Sequence, residues 1–244
     1  MDNNLGLSHF WQQADSVSHS VAYLLLILSI VSWYYILGKA WLSWRVRRQS
    51  QQTLSHFWAA SSMPDALRQI QTSDADGLFS DLAQASAQAA QLSQSSAPSL
   101  NTQIDPSELI TRSLRQAINR NAARLESGQT LLASVGSTAP FIGLFGTVWG
   151  IYHALLSIAG SGQIMIDKVA GPVGEALIMT AAGLAVAIPA VLAYNAFTRV
   201  NRLILADLDG FAHDLHAYYT TGQQLSRPLR PAHEGADSPA KIGA

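Results

Sequence analysis

Three long apolar stretches dominate the hydrophobic pattern of this chain. No Asp, Glu, Lys or Arg occurs in residues 16–38, 127–166 or 176–198. About 20 apolar residues in a helix cross a hydrocarbon core about 30 Å thick, so the pattern predicts membrane spans at about 18–40, 132–156 and 172–197. The remaining residues are too few and too polar to cover three such helices. The sequence therefore predicts an all-α, polytopic membrane protein.

Helical periodicity continues beyond two of these spans. Asp105, Pro106 and Glu108 occupy the N-cap, N1 and N3 positions of a predicted helix start. Apolar residues then recur at helical spacing, at Ile110, Leu114, Ile118 and Leu125. Because no strong breaker precedes Gly136, this helix is predicted to continue straight into the second span.

The segment after the third span shows a second stripe at helical spacing, formed by Val200, Ile204, Leu208, Phe211, Leu215 and Tyr218. We therefore predict that two membrane helices extend about 30 Å into the cytoplasm. Their stripes require a partner, in this chain or in another subunit. Residues 84–104 are rich in Gln, Ala and Ser, and the residues after Gly222 are rich in Pro and Gly. Both compositions predict mobile connections.

Composition excludes several classes of function. Only 13% of the residues are charged and the net charge is −1, which argues against a nucleic-acid partner. The chain has no Cys, so it has no disulfide, no Cys-bound zinc and no thiol nucleophile.

The distribution of positive charge predicts the orientation. Residues 1–20 contain no Lys or Arg, whereas nine lie between the first two spans, one lies in the turn before the third, and five follow it. The positive-inside rule then places the N-terminus outside the cell membrane and both the long loop and the C-terminal tail on the cytoplasmic side. Trp and Tyr residues next to Arg45, Arg47 and Arg48 resemble an interfacial anchor at the inner end of the first span.

No motif in the chain predicts an enzyme or a metal site. The glycines of residues 143–150 lack the Lys of a phosphate-binding loop and follow no strand. His213 and His216 have no third ligand at suitable spacing, and no Gly-x-Ser-x-Gly sequence occurs. We therefore predict no cofactor. The small residues instead predict close helix packing, at Gly146, Gly150, Ala182 and Gly183.

Three polar residues lie within apolar surroundings. Glu175 lies at the outer end of the third span, where it either lines a proton pathway or only stabilises a helix N-terminus. Thr147 and Thr180 either bond to carbonyl groups one turn back or line a polar path. Because Thr180 lies about 140° around the helix from Glu175, we expect it to meet Thr147 from the neighbouring helix, with Glu175 nearer the outer opening.

Residues 136–150 (GSTAPFIGLFGTVWG) and 174–195 (GEALIMTAAGLAVAIPAVLAYN) resemble the MotA/TolQ/ExbB proton-channel family, most closely its ExbB branch. The resemblance implies a pentameric ring of identical subunits around an ExbD-like single-span protein in the inner membrane of a Gram-negative bacterium. Such a complex uses the proton gradient to move TonB and so energises uptake of iron-siderophores and vitamins. It also implies that Thr147 and Thr180 face the pore and that Glu175 is the family's intramembrane glutamate.

Alternatives remain open at this stage. A TolQ-like subunit, which acts with TolR in the Tol-Pal envelope system, would have the same three spans. A MotA-like stator would have four spans, whereas this chain shows three. A passive membrane scaffold would assemble without carrying out proton-driven work.

Overall fold

The computed structural model describes residues 15–94, 105–161 and 167–222. Within these residues it contains six α-helices and no strand, which confirms the predicted all-α fold: α1 Ser16–Ala59, α2 Met63–Ser73, α3 Leu78–Gln94, α4 Pro106–Glu126, α5 Gln129–Ser161 and α6 Asp167–Thr221. The predicted N-terminal segment and C-terminal tail fall largely outside the described residues, as do residues 162–166 of the predicted outer loop 157–171 and residues 95–104 of the Gln/Ala/Ser-rich stretch. Residues 157–161 and 167–171 of that loop belong to α5 and α6.

Three stretches of helix are long and apolar enough to cross a membrane, as predicted, in α1, in α4 continued by α5, and in α6. With 44 and 55 residues, α1 and α6 measure about 65 and 80 Å at 1.5 Å per residue. Both therefore extend well beyond a hydrocarbon core about 30 Å thick. We call these extensions, together with α2, α3 and α4, the stalk. The contribution of α1 to the stalk was not predicted.

The predicted unbroken helix between the stalk and the second span is wrong at residues 127 and 128. Helix α4 ends at Glu126, Ser127 and Gly128 form a turn in which Gly128 has a φ of +77°, and α5 begins at Gln129. Glycine adopts this left-handed conformation at little cost and commonly terminates helices. A Cβ at position 128 would also overlap the ring of Tyr35 on α1. The break therefore lets α4 pack against α3 and α6, while α5 packs against α1 and α6.

The end of α4 is fixed by two side chains from other helices. The carbonyl oxygen of Leu125 accepts hydrogen bonds from Lys39 Nζ on α1 at 2.5 Å and from Asn201 Nδ2 on α6 at 2.7 Å. Carbonyl groups in the last turn of a helix lack partners within the helix, and here both donors are buried. This junction connects the stalk to the membrane helices.

The prediction that residues 84–104 form a mobile connection is wrong for residues 84–94, which belong to α3. Ala83, Ser86 and Ala90 recur at helical spacing and are buried in the stalk. Alanine has the highest helix propensity, and its small side chain permits close packing. At the start of α3, Asp74 Oδ2 accepts hydrogen bonds from the amides of Phe79 and Ser80 at 2.7 and 2.8 Å.

The two stripes predicted on α4 and α6 find their partner within this chain. Leu114 and Leu125 of α4 and Ile204, Leu208 and Phe211 of α6 are buried in one stalk core. Phe211 is 1% exposed and contacts three other rings edge-to-face, those of Phe57, Trp58 and Phe79.

The start of α4 is close to the prediction. Asp105 is the N-cap, its side chain accepts from the amide of Ser107, and Pro106 is the first helical residue. Glu108, expected to complete the cap, instead accepts a hydrogen bond from Arg112 Nη2 at 2.7 Å.

Candidate functional site

Helices α5 and α6 form the closest contact in the membrane-spanning part of the molecule, at a pair of glycines. A Cβ on Gly143 would lie 2.6 Å from the carbonyl oxygen of Met179, and a Cβ on Gly183 would lie 2.7 Å from that of Ala139. Both obstacles are backbone atoms, so neither position accepts a side chain unless the helices separate. Gly183 was singled out from the sequence as a packing residue, whereas Gly143 was not.

The other predicted packing residues surround this contact. A Cβ on Gly146 would lie 3.0 Å from Val21 of α1 and 3.1 Å from Met179 of α6, in both cases from side-chain atoms. A Cβ on Gly150 would lie 3.1 Å from the Cβ of Ala176 on α6. Ala182 packs against a cluster of buried apolar side chains in the membrane-spanning part, which includes Leu132, Met179 and Ala190. The small residues also suggest from the sequence that these helices pack against neighbouring subunits, and that hypothesis stays a prediction.

Thr147 of α5 and Thr180 of α6 lie in contact across the same helix pair. Their Oγ1 atoms are 2.5 Å apart, and Thr147 is buried. The Thr147 hydroxyl also lies 2.9 Å from the carbonyl oxygen of Ala176 and 3.2 Å from that of Gly143. The expected meeting of the two threonines is confirmed. Their position in a pore stays a prediction.

The hydrogen bonds of the pair give it a preferred direction. A threonine hydroxyl has one proton to donate and two lone pairs that accept. Ala176 lies four residues before Thr180, so its carbonyl is the usual acceptor for a Thr180 hydroxyl. Thr147 Oγ1 lies within hydrogen-bond distance of this carbonyl, and when its single proton is donated there, Thr180 is the donor between the two hydroxyls. The half-buried Thr180 oxygen then retains acceptor capacity for a further proton donor.

Glu175 belongs to α6 and directly precedes Ala176, the residue that accepts from Thr147. Its side chain lies outside the part of the structure that is described. The choice between a proton pathway and a helix-terminal role therefore stays open for this residue.

A polar cluster at the outer end of α1 was missed by sequence reasoning. Trp149 Nε1 of α5 donates to Asp15 Oδ2 at 3.0 Å, and His153 Nε2 lies 3.7 Å from the same oxygen. The hydrogen bond from Trp149 lowers the pKa of the Asp15 carboxyl, and the Ser16 amide and His153 act in the same direction against desolvation. Asp15 is also the N-cap of α1. The sequence indicates only part of this cluster: Trp149 and His153 are four residues apart, so they lie on the same face of a helix.

The described residues contain no group of three His, Asp or Glu side chains placed to hold a metal ion. His216, one of the two histidines considered from the sequence, contacts the Ser107 hydroxyl with its Nε2 at 3.0 Å.

Long apolar helices, a helical stalk and a buried hydroxyl pair between two of the spans define a polytopic helical membrane protein. Residues 74–209, more than half of the chain, match the model of the MotA/TolQ/ExbB proton channel family. The chain therefore belongs to the MotA/TolQ/ExbB proton channel family.

Individual relatives agree with this assignment. The chain is 46% identical over 232 residues to a biopolymer transport protein ExbB of Xanthomonas campestris pv. campestris, which covers 91% of this chain and 92% of the relative. It is 42% identical over 213 residues to an ExbB of Neisseria meningitidis, covering 87% and 96%. A Tol-Pal system protein TolQ of Haemophilus influenzae is 32% identical over 220 residues, covering 83% and 89%. The similarity to proteins named ExbB is thus the stronger one and supports an ExbB-like role in a proton channel.

Proposed function

We propose that this chain is the ring-forming subunit of a proton-driven complex in the inner membrane of a Gram-negative bacterium. Five copies surround an ExbD-like single-span protein, and the complex drives TonB to energise outer-membrane uptake of iron-siderophores and vitamin B12. The observation that carries the proposal is the contact between Thr147 and Thr180, a polar pair between helices that are otherwise apolar there.

The hydroxyl pair suits a site where a partner carboxyl group gains and loses a proton. Thr180 can accept a hydrogen bond from a protonated carboxyl, and it can donate to the carboxylate if its proton turns away from Thr147. The fixed acceptor at Ala176 keeps Thr147 in place through both states. One proton crossing 100 mV supplies about 2.3 kcal/mol, so no nucleotide is required. Glu175 supplies a second acid nearer the outer opening.

The orientation follows from the charge distribution, with the stalk in the cytoplasm and the N-terminus in the periplasm. Single cysteines introduced into this Cys-free chain test it. Gln71 is exposed on α2 of the stalk, so Gln71→Cys is expected to react only with reagents that enter the cell, whereas Leu5→Cys is expected to react from outside. Labelling of residue 71 from outside would reverse the proposed topology.

Uptake of a TonB-dependent iron-siderophore by cells that carry single variants tests the function. Thr147→Val keeps the shape of the side chain and removes the hydroxyl, and we expect most of the uptake to be lost. Thr138→Val is the matched control, because Thr138 lies exposed on the same helix and donates only to the carbonyl of Ser134. Glu175→Gln separates the two roles of that residue, since glutamine cannot ionise.

Full uptake by Thr147→Val and Thr180→Val, with normal assembly, would refute the role of the hydroxyl pair. Full uptake by Glu175→Gln would reduce Glu175 to a structural residue.

A TolQ-like function is the second candidate, favoured by the extensive similarity to TolQ of Haemophilus influenzae. The partner separates the two functions. We expect the chain to co-purify from its own cells with an ExbD-like protein, and recovery of TolR instead would assign it to the Tol-Pal system.

A further inference from the structure

One side of α1 carries a continuous exposed stripe, here called the α1 stripe. Its members alternate in spacing between four and three residues: Tyr23, Ile27, Ile30, Tyr34, Leu37, Trp41, Trp44 and Arg48. This spacing keeps them on one face of a helix. Each of the first seven is at least 50% exposed. The stripe therefore faces away from the rest of the chain along the whole apolar part of α1.

The stripe changes from apolar to basic where α1 leaves the apolar segment. Arg48 Cζ lies 5.3 Å from the ring centre of Trp44, and Arg45 Cζ lies 5.9 Å from that of Trp41. Each arginine thus stacks on a tryptophan one turn before it, and this cation–π contact restricts the position of its guanidinium group. The membrane boundary lies close by, because Lys39 bonds to the end of α4 just before the apolar α5 begins.

The charges at this level leave a local excess of positive charge on α1. Arg45 Nε lies 3.6 Å from Asp76, and Arg124 on α4 lies 3.9 Å from Asp81. Arg48 is exposed and stacks on the exposed ring of Trp44, so it presents a planar cation just beyond the edge of the hydrocarbon region.

We propose that Trp44 and Arg48, with Trp41 and Arg45 one turn earlier, form a binding site for the headgroup of an anionic phospholipid in the leaflet nearer the stalk. A guanidinium group binds a phosphate through two parallel hydrogen bonds. Ten residues of helix separate Ile27 from Leu37, about 15 Å, which is half of a hydrocarbon core about 30 Å thick. The stripe thus matches one lipid, with its phosphate at Arg48 and an acyl chain along Leu37, Tyr34, Ile30 and Ile27.

The site rests on membrane insertion of α1 and does not depend on the proton-driven function. Lipid binding to the purified full-length chain in detergent is measured by native mass spectrometry, with phosphatidylglycerol and with phosphatidylcholine of identical acyl chains. We expect a preference for phosphatidylglycerol that Arg48→Gln weakens about fivefold, the effect of about one cation at a membrane surface. Trp44→Ala is expected to weaken the same preference, and Arg48→Lys to retain part of it.

Arg47→Gln is the matched control, because Arg47 is exposed and carries the same charge about 100° away around the helix from Arg48. A specific site predicts that Arg47→Gln retains the preference for phosphatidylglycerol. Equal losses in both glutamine variants would mean diffuse charge attraction and would overturn the proposal. Equal binding of both lipids by the unmodified chain would overturn it too, as expected if a second copy of the chain covers the stripe. Circular dichroism melting without added lipid confirms that each variant is folded.

Discussion

The contact between α5 and α6 in the membrane and the core of the stalk are built on opposite packing principles. In the membrane, Gly143 and Gly183 bring two backbones together, and the Thr147 hydroxyl contacts both the Thr180 hydroxyl and the carbonyl oxygen of Ala176 across this helix pair. In the stalk, Phe211 fills the space between helices with a large side chain that touches three other rings. In the stalk, the hydrophobic effect favours burial of apolar side chains away from water. In the membrane the surrounding lipid is itself apolar, so helix association depends on close van der Waals packing instead.

This difference predicts opposite sensitivities to a change in side-chain size. The stalk is expected to respond mainly to lost volume, and the glycine contact mainly to added volume. The substitutions of Phe211 and Gly143 below each test one side of that contrast.

The largest expected effect is the loss of an aromatic ring from the stalk. Phe211→Ala leaves a cavity where a 1% exposed ring was buried, and it is expected to destabilise the protein by about 3–5 kcal/mol. Phe141→Ala on α5 is the control, because Phe141 is 71% exposed and its removal leaves no cavity. Thermal unfolding of both variants in the same detergent measures the difference, and equal melting temperatures would refute the packing account of the stalk.

The next effect comes from adding a single methyl group to the glycine contact. Gly143→Ala places a Cβ 2.6 Å from a backbone oxygen of α6, so the helices must separate, at an expected cost of about 1–3 kcal/mol. Gly38→Ala on α1 adds the same group where nothing lies within 4 Å, and it is expected to stabilise the helix by up to about 1 kcal/mol. If Gly143→Ala melts at or above the temperature of Gly38→Ala, the close contact is not a constraint.

A smaller effect concerns Asp74, the half-buried side chain that accepts hydrogen bonds at the start of α3 in the stalk. Burial raises the pKa of the Asp74 carboxyl, the Asp76 charge acts in the same direction, and the amide hydrogen bonds from Ser80 and Phe79 oppose this. Because the folded state binds this proton more tightly than the unfolded state, stability falls as pH rises from the ordinary value of 3.8 through the raised pKa.

Asp74→Asn keeps an acceptor oxygen and cannot ionise, so it is expected to remove this part of the pH dependence with little effect at pH 7. Asp74→Ala also removes the cap and is expected to cost about 1 kcal/mol. Chemical denaturation across the acidic range, compared between the two variants, measures both effects. If stability depends on pH in Asp74→Asn as it does in the unmodified chain, titration of the Asp74 carboxyl is not the cause of that dependence.

The sequence predicted the elements whose signals are local and periodic. The apolar lengths of the spans, the Asp105–Pro106 helix start and the spacing of Ile204, Leu208 and Phe211 each reflect one helix considered alone. The meeting of Thr147 with Thr180 was also predictable, because two antiparallel spans of known direction bring those positions to similar depth.

The errors occurred where local composition and tertiary packing disagree. The Gln, Ala and Ser residues of α3 resemble a linker by composition, yet small side chains also suit a close-packed helix such as this one. Gly128 lies in an uncharged run, so its role as a helix terminator is visible only from its positive φ and from its contact with Tyr35. The Trp149–Asp15 hydrogen bond joins residues 134 positions apart, and no pattern in a single sequence predicts such a pair.

The central claim is that Thr147 and Thr180 act as one unit in proton-driven work, and a double-mutant cycle tests it most directly. Iron-siderophore uptake is measured in cells that carry Thr147→Val, Thr180→Val or both, with assembly verified for each. Removing one hydroxyl from a buried pair is expected to cost about 1–3 kcal/mol, and residues that act together lose function non-additively. The account predicts that the double variant is no more impaired than the worse single variant. Undiminished uptake in the single variants, or losses that multiply in the double variant, would contradict it.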